Sequence, residues 1–352
     1  MTASSSINDP IQLIGATGSP YTQKMVALLR YRHIPYRIMW GDPATTLDAM
    51  GIEKPKIAFM PTVLLPNDEG KLVAVCDSTP IIHRLEGEKS DRSVVPADPV
   101  LAFLNFVLED FADEWFTKCM FHYRWYYEQD ALNAGRILSA GIDITQSDET
   151  LQQFNDFFSQ RQIERLKFVG SNDTTAPIID ASYRRIVTLL DKHYQTSPYL
   201  LGSRPGSSDF ALFGQLTQLV GVDPTPRAIT HDLSSRTVAW VLSMYDLCGL
   251  EPEESGWLQK EALPESLKAI FEEVGRTYVP ALLANAKAIA AGDKEWQTEI
   301  DGCVWTQQSF PYQGKCLKWI REEFQALSAE DQKIVENFLA GTGCEPLLLG
   351  NQ

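Results

Sequence analysis

Ser19-Pro20-Tyr21-Thr22 lies where a strand pattern gives way to a helical one, a junction at which chemistry can be done. The first N–H groups of a helix are unsatisfied and its dipole is positive there, so a negative charge placed beside them is stabilised. A hydroxyl at this spot can donate to a bound thiolate. A dithiol redox site would put Cys-x-x-Cys here, but the corresponding residues are Ser19 and Thr22, which leaves that chemistry without its nucleophile. The plain alternative is that Ser19 only caps the helix. Two further groups bear on the choice. Met60-Pro61 precedes the strand-like run Thr62-Val63. A cis peptide there would turn a backbone N–H and C=O toward an extended peptide ligand, whereas the commoner trans peptide would not. Asp77-Ser78 opens a later helix, where a carboxylate suits an ammonium and a hydroxyl suits a carboxylate; for Asp77 the alternative is simple capping.

Glu114-Trp115-Phe116 and His122-Tyr123-Arg124-Trp125-Tyr126-Tyr127 are dense in aromatic rings. A wall of Trp115, Tyr123 and Arg124 would suit a planar or anionic acceptor, although an aromatic stripe at helical spacing also serves as core or as a subunit interface. His33, His83, His122, His193 and His231 stand singly, with no serine and acid in a recognisable hydrolase arrangement, so a catalytic triad is not expected. The six cysteines are far apart, with no Cys-x-x-Cys and no histidine at ligand spacing. Neither a metal site nor a disulfide framework is expected.

Positioning these residues requires an α/β unit. Ile11 to Ile14 alternates as a strand and stops at Gly15-Ala16-Thr17-Gly18; a helix begins at Ser19, with Tyr21, Met25, Leu28 and Leu29 on its buried stripe. Tyr36 to Trp40 predicts a second strand, and Thr62 to Leu65 and Leu72 to Val75 flank a turn-rich hairpin loop, Pro66 to Gly70. Ile81, Ile82 and Leu85 continue the helix that Asp77-Ser78 opens. From about Asp98 strand signals nearly vanish and helical periodicity covers Leu101 to Tyr127, Leu151 to Val169, Ala181 to Tyr194 and Asp209 to Val220. In the last of these Asp209 can reach back to the Gly206 backbone as half of a capping box. A helical extension follows from about Glu251, with apolar stripes at Leu267, Ile270, Phe271 and Val274 and at Leu317, Ile320 and Phe324, and a capping pattern at Ser328. Those stripes must be covered by the all-α part or by a second subunit.

Composition bounds the partners. At 352 residues, 44% hydrophobic and 22% charged, the chain can bury a core and form roughly two or three domains. A formal charge of −15 repels phosphate backbones and anionic lipid heads, so neither nucleic acid nor membrane is an expected partner. No apolar run approaches a membrane span and the start, Met1 to Pro10, is polar without a secretory pattern, so the expected location is cytoplasmic.

In their order and spacing the Ser19, Met60-Pro61 and Asp77-Ser78 elements resemble the amino-terminal domain of the cytosolic glutathione transferase superfamily. Tyr199-Leu200-Leu201-Gly202, Arg204-Pro205 and Ser208-Asp209-Phe210-Ala211-Leu212-Phe213 are similar to the motif that caps the buried helix of that family's second domain. Gly206 departs from the Ser or Thr usual there, which weakens the cap by about a few tenths of a kcal/mol. The resemblance spans about residues 10 to 250 and leaves the last hundred unassigned. It implies an α/β thioredoxin-like domain (1–90), an all-α domain (98–250) with extra C-terminal helices (251–352), and a homodimer. It further implies glutathione as co-substrate, with Ser19 activating its thiol, Met60 before a cis Pro61 pairing with the cysteinyl part, and Asp77 and Ser78 holding the γ-glutamyl end. The implied reaction is attack of the glutathione thiolate on a small electrophile. Alternatives are a glutathione-dependent isomerase or lyase and a non-catalytic binding or assembly module on the same fold.

Overall fold

The structure, a computed structural model, describes residues 10–89 and 91–350; the polar start, residues 1–9, lies outside the described residues. The first section runs β1 (Ile11–Gly15), α1 (Pro20–Tyr31), β2 (Tyr36–Trp40), α2 (Pro43–Met50), β3 (Thr62–Pro66), β4 (Leu72–Cys76) and α3 (Ser78–Glu88). The sheet order is β2-β1-β3-β4, with β1 parallel to β2 and antiparallel to β3, which forms a hairpin with β4. A parallel pair needs a crossover, and α1 supplies it. This is a thioredoxin-like arrangement. Helix α2 is an addition to the sequence-based expectation. Asp42 caps it by accepting from the Thr45 N–H at 2.9 Å, Pro43 opens it and Gly51 closes it at a left-handed φ of 66°.

The register brings the candidate residues together. Ile14 lies opposite Thr62, and Thr62 lies opposite Cys76. One residue further on, Gly15, Pro61 and Asp77 therefore share one end of the sheet, the end from which the turn to Ser19 departs.

The second section is helical: α4 (Pro99–Tyr126), α5 (Glu128–Ala140), α6 (Asp148–Ile163), α7 (Ala176–His193), α8 (Ser207–Gly221), α9 (Pro224–Leu233) and α10 (Ser235–Met244). Helix α8 is buried on nearly every side and packs on both α1 and α4. Asp209 accepts from the Gly206 and Leu200 N–H groups, both at 2.9 Å, as the expected half capping box. A Cβ on Gly214 would stand 2.4 Å from the Pro20 carbonyl oxygen, so a glycine in α8 is what lets the start of α1 rest directly on it.

The last section is not purely helical. Helix α11 (Glu265–Glu273) passes through a π turn (Val274–Tyr278) into α12 (Val279–Ala291); then come a hairpin, β5 (Glu295–Ile300) and β6 (Cys303–Gln308), and α13 (Pro311–Ala326) and α14 (Ala329–Leu339). The wide turn sits where the Pro280 ring would otherwise meet the Arg276 carbonyl four residues back. The hairpin corrects the expectation of helices alone. Trp296, Ile300, Trp305 and Gln307 are its buried residues, and the two-residue turn Asp301-Gly302 has φ of 52° and 78°, as a type I′ turn requires.

One cluster of buried apolar side chains runs from Ile11 to Leu347 and includes both extension stripes. Helix α11 lies on α7, and α13 and α14 lie on α4, so the stripes are covered within the chain. No helix among the described residues is long and apolar enough to cross a membrane.

Candidate functional site

Ser19 is the N-cap of α1: its Oγ accepts from the Thr22 N–H at 3.2 Å, and its side chain is almost covered. A serine hydroxyl carries one proton and two lone pairs, so capping leaves the proton free to donate to a ligand atom. Neighbouring hydroxyls point elsewhere. Tyr21 donates to the Asp113 carbonyl at 2.7 Å, and the Thr22 hydroxyl is buried beside Gly15 without a partner.

The peptide between Met60 and Pro61 is cis. Asp77 sits at φ 91°, a sparsely populated region for a non-glycine residue, and makes no side-chain cap to α3. The Thr79 N–H of the first turn still pulls on its carboxylate, and its Oδ1 accepts from the Tyr312 hydroxyl of α13 at 2.9 Å. Burial pushes the Asp77 carboxyl up, against the opposing pull of Tyr312 and Lys24. Ser78 Oγ accepts from the buried Lys24 Nζ at 3.0 Å, and the same ammonium reaches Glu109 Oε1 at 2.8 Å and Asp113 Oδ2 at 2.6 Å. Burial alone would lower the Lys24 pKa; the two carboxylates outweigh it and raise it.

The expected wall of Trp115, Tyr123 and Arg124 is corrected. All three are interior residues. Trp115 donates to Ser182 Oγ at 2.9 Å, and Tyr123 donates to Asp180 Oδ1 at 2.7 Å. Arg124 forks onto Asp223 at 3.0 Å, meets Gln218 Oε1 at 2.7 Å and donates to the Gly18 carbonyl at 3.0 Å. Long side chains on the all-round buried face of α4 find partners on α7, α8 and α9 before they find solvent. Arg124 thereby braces, from behind, the turn that carries Ser19. Gln218 joins it by donating to the Thr17 carbonyl at 3.2 Å.

Sequence reasoning passed over Lys24, Glu109, Asp113 and Tyr312. The available signal was a lysine on the apolar stripe of α1 and acids spaced i, i+4 on an otherwise apolar α4. With Asp77, the α4 residues Glu109, Asp110, Asp113 and Glu114 form a run of carboxyls where α13 and the π turn dock. Burial pushes Asp110 up to about 7, although the Tyr278 hydroxyl donates to it at 2.5 Å, and burial raises Asp113 and Glu114 as well. Glu109 is lowered, because Lys24 outweighs its burial.

Residues 13–93, which hold all of these sheet-end elements, match the family described as glutathione S-transferase, N-terminal domain. The sequence likeness to that family lies in this amino-terminal stretch. The sequence matches no curated relative. Similar solved structures include the Tau class glutathione S-transferase of mango, at 16% identity over 70% of this chain and 94% of that one, with a TM-score of 0.38. A glutathione S-transferase of Methylobacterium radiotolerans in complex with glutathione sulfonate is 18% identical over 68% and 95%, with a TM-score of 0.36. FzlA of C. crescentus is 14% identical over 67% and 88%, with a TM-score of 0.40. The matched stretch ends before α4, so it does not reach the second, all-helical section or the extension.

Proposed function

We propose that the protein binds glutathione and directs its thiolate at a small electrophile. The observation that carries this reading is the meeting of Ser19, the cis Met60-Pro61 peptide and Asp77-Ser78 at one end of one sheet. In this reading Ser19 donates its free proton to the thiolate at the positive end of α1 and lowers the thiol pKa. The Met60 backbone pairs with the cysteinyl part, Asp77 takes the ligand's ammonium and Ser78 its carboxylate. The thiolate then attacks the electrophilic carbon, and the leaving group departs with the bonding pair.

A second reading, a non-catalytic binding or assembly module, draws on two observations: Tyr312 already holds Asp77, and the aromatic residues expected to face an electrophile are core. Calorimetry with reduced glutathione tests the first step. Binding to the intact protein is expected, weakened more than about tenfold by Asp77→Ala, which strips a charged hydrogen-bond partner. No binding would sink the glutathione reading. Binding without conjugation across a panel of electrophiles would favour the module.

A further inference from the structure

We propose that the first turn of α13 is a latch on this site: the Tyr312 hydroxyl occupies the Asp77 carboxylate, and the ammonium group of an incoming ligand displaces it. The inference rests on the glutathione reading, because it takes Asp77 as the ammonium's partner. Phenol and ammonium are both donors that seek the same acceptor. The phenol's bond to the carboxylate is already charge-assisted, and the ammonium adds to it the Coulomb attraction of a second, opposite charge. Exchange of one for the other is therefore downhill at the carboxylate once ligand is present.

The later turns of the helix are held more firmly than its start: Cys316, Leu317, Ile320 and Phe324 are buried there, whereas in the first turn only Gln313 is. Phe310, at the N-cap, offers no side-chain cap, and Gly314 is a poor helix former within the first turn. The pivot is fixed nonetheless: Asn285 donates to the Phe310 carbonyl at 2.9 Å and accepts from its N–H at 2.8 Å. Between pivot and anchor, Tyr312 on Asp77 and Gln313 on Glu114, at 2.8 Å, are the polar side-chain ties of the turn. Tyr312 is half-buried at the edge of the core, with its ring against Phe310 and Trp319, so an outward swing that takes the hydroxyl off Asp77 involves this one ring and leaves the buried anchors in place.

Tyr312→Phe removes the hydroxyl and keeps the ring. In the full-length protein it is expected to tighten calorimetric binding of reduced glutathione roughly three- to tenfold, the worth of one hydrogen bond to a charged group at a partly exposed site. Without ligand it should also speed amide hydrogen exchange over residues 313–317. Unchanged or weaker glutathione binding by the variant would overturn the latch, since a competitor's removal cannot harm the ligand. Should neither protein bind glutathione, the functional reading falls and the latch falls with it, whereas binding by both with equal affinity overturns the latch alone.

Discussion

Lys24 shows how a single side chain ties the site to the helices. It is wholly buried, and its ammonium donates to Ser78, Glu109 and Asp113. Removing one member of such a set leaves buried charge uncompensated, which costs about 3–5 kcal/mol. Lys24→Met is therefore expected to lower the melting temperature by several degrees and to free the Ser78 hydroxyl from its interior partner. Part of the loss should return at low pH, where Glu109 and Asp113 take up protons. Thermal denaturation at two pH values measures both, and a Lys24→Met protein as stable as its parent would show that the lysine does not tie the sheet to α4. The lysine was conspicuous in sequence as a charge on the stripe of Tyr21, Met25 and Leu28. Its partners, in a helix some 85 residues away, were not, because charge pairing across helices leaves no periodic trace.

At the scale of elements, local signals served best where local physics decides. The Ser19 N-cap, the Asp209 reach to Gly206 and the Ser328 cap of α14 all rest on contacts within a few residues. Helix α2 and the β5–β6 hairpin carried equally local signals, Asp42-Pro43 and Asp301-Gly302, that were passed over beside stronger helical patterns. For α4 the sequence left a ligand wall and core both open, because an aromatic stripe looks alike whether it faces a ligand or the interior, and burial decides for core. Its acid-bearing face has a measurable consequence. Burial holds the Asp110 carboxyl up to about 7, so the folded protein keeps a proton that the unfolded chain releases near 4. The stabilisation is complete below the unfolded value, falls as pH rises toward about 7, and is absent above it. Asp113 and Glu114 are raised too and act in the same direction. Asp110→Asn keeps an acceptor for Tyr278 and removes the titration. It should melt above the parent at pH 8, with a gap that narrows or reverses at pH 5. Melting profiles that run parallel from pH 5 to pH 8 would mean that Asp110 does not titrate across this range.

For the whole molecule, the extension is part of the same body rather than an appended module. Its apolar stripes join the cluster that begins at Ile11, a Cβ on Gly275 in the π turn would stand 2.0 Å from the Thr342 carbonyl oxygen, and Lys118 of α4 donates to Gln307 of β6 at 2.8 Å. Burial lowers the Lys118 pKa to about 8, with Glu114 opposing, so this cation is held inside by the hairpin that covers it. Ending the chain near Gly249 would uncover the faces of α4 and α7, strip Asp110 of Tyr278 and Glu114 of Gln313, and open Lys118 to water. Large apolar areas and unpaired buried polar groups both count against such a product. The truncated protein is expected to be poorly soluble or to melt many degrees lower, although Ser19, Pro61, Asp77 and Ser78 are all retained in sequence. Buried carboxyls returned to solvent would regain ordinary acidity, so its residual stability should lose the parent's fall between pH 5 and pH 7. Melting and solubility measured side by side on the two chains decide the matter. A truncated chain with the parent's melting temperature and pH profile would mean that residues beyond Gly249 fold as an independent unit.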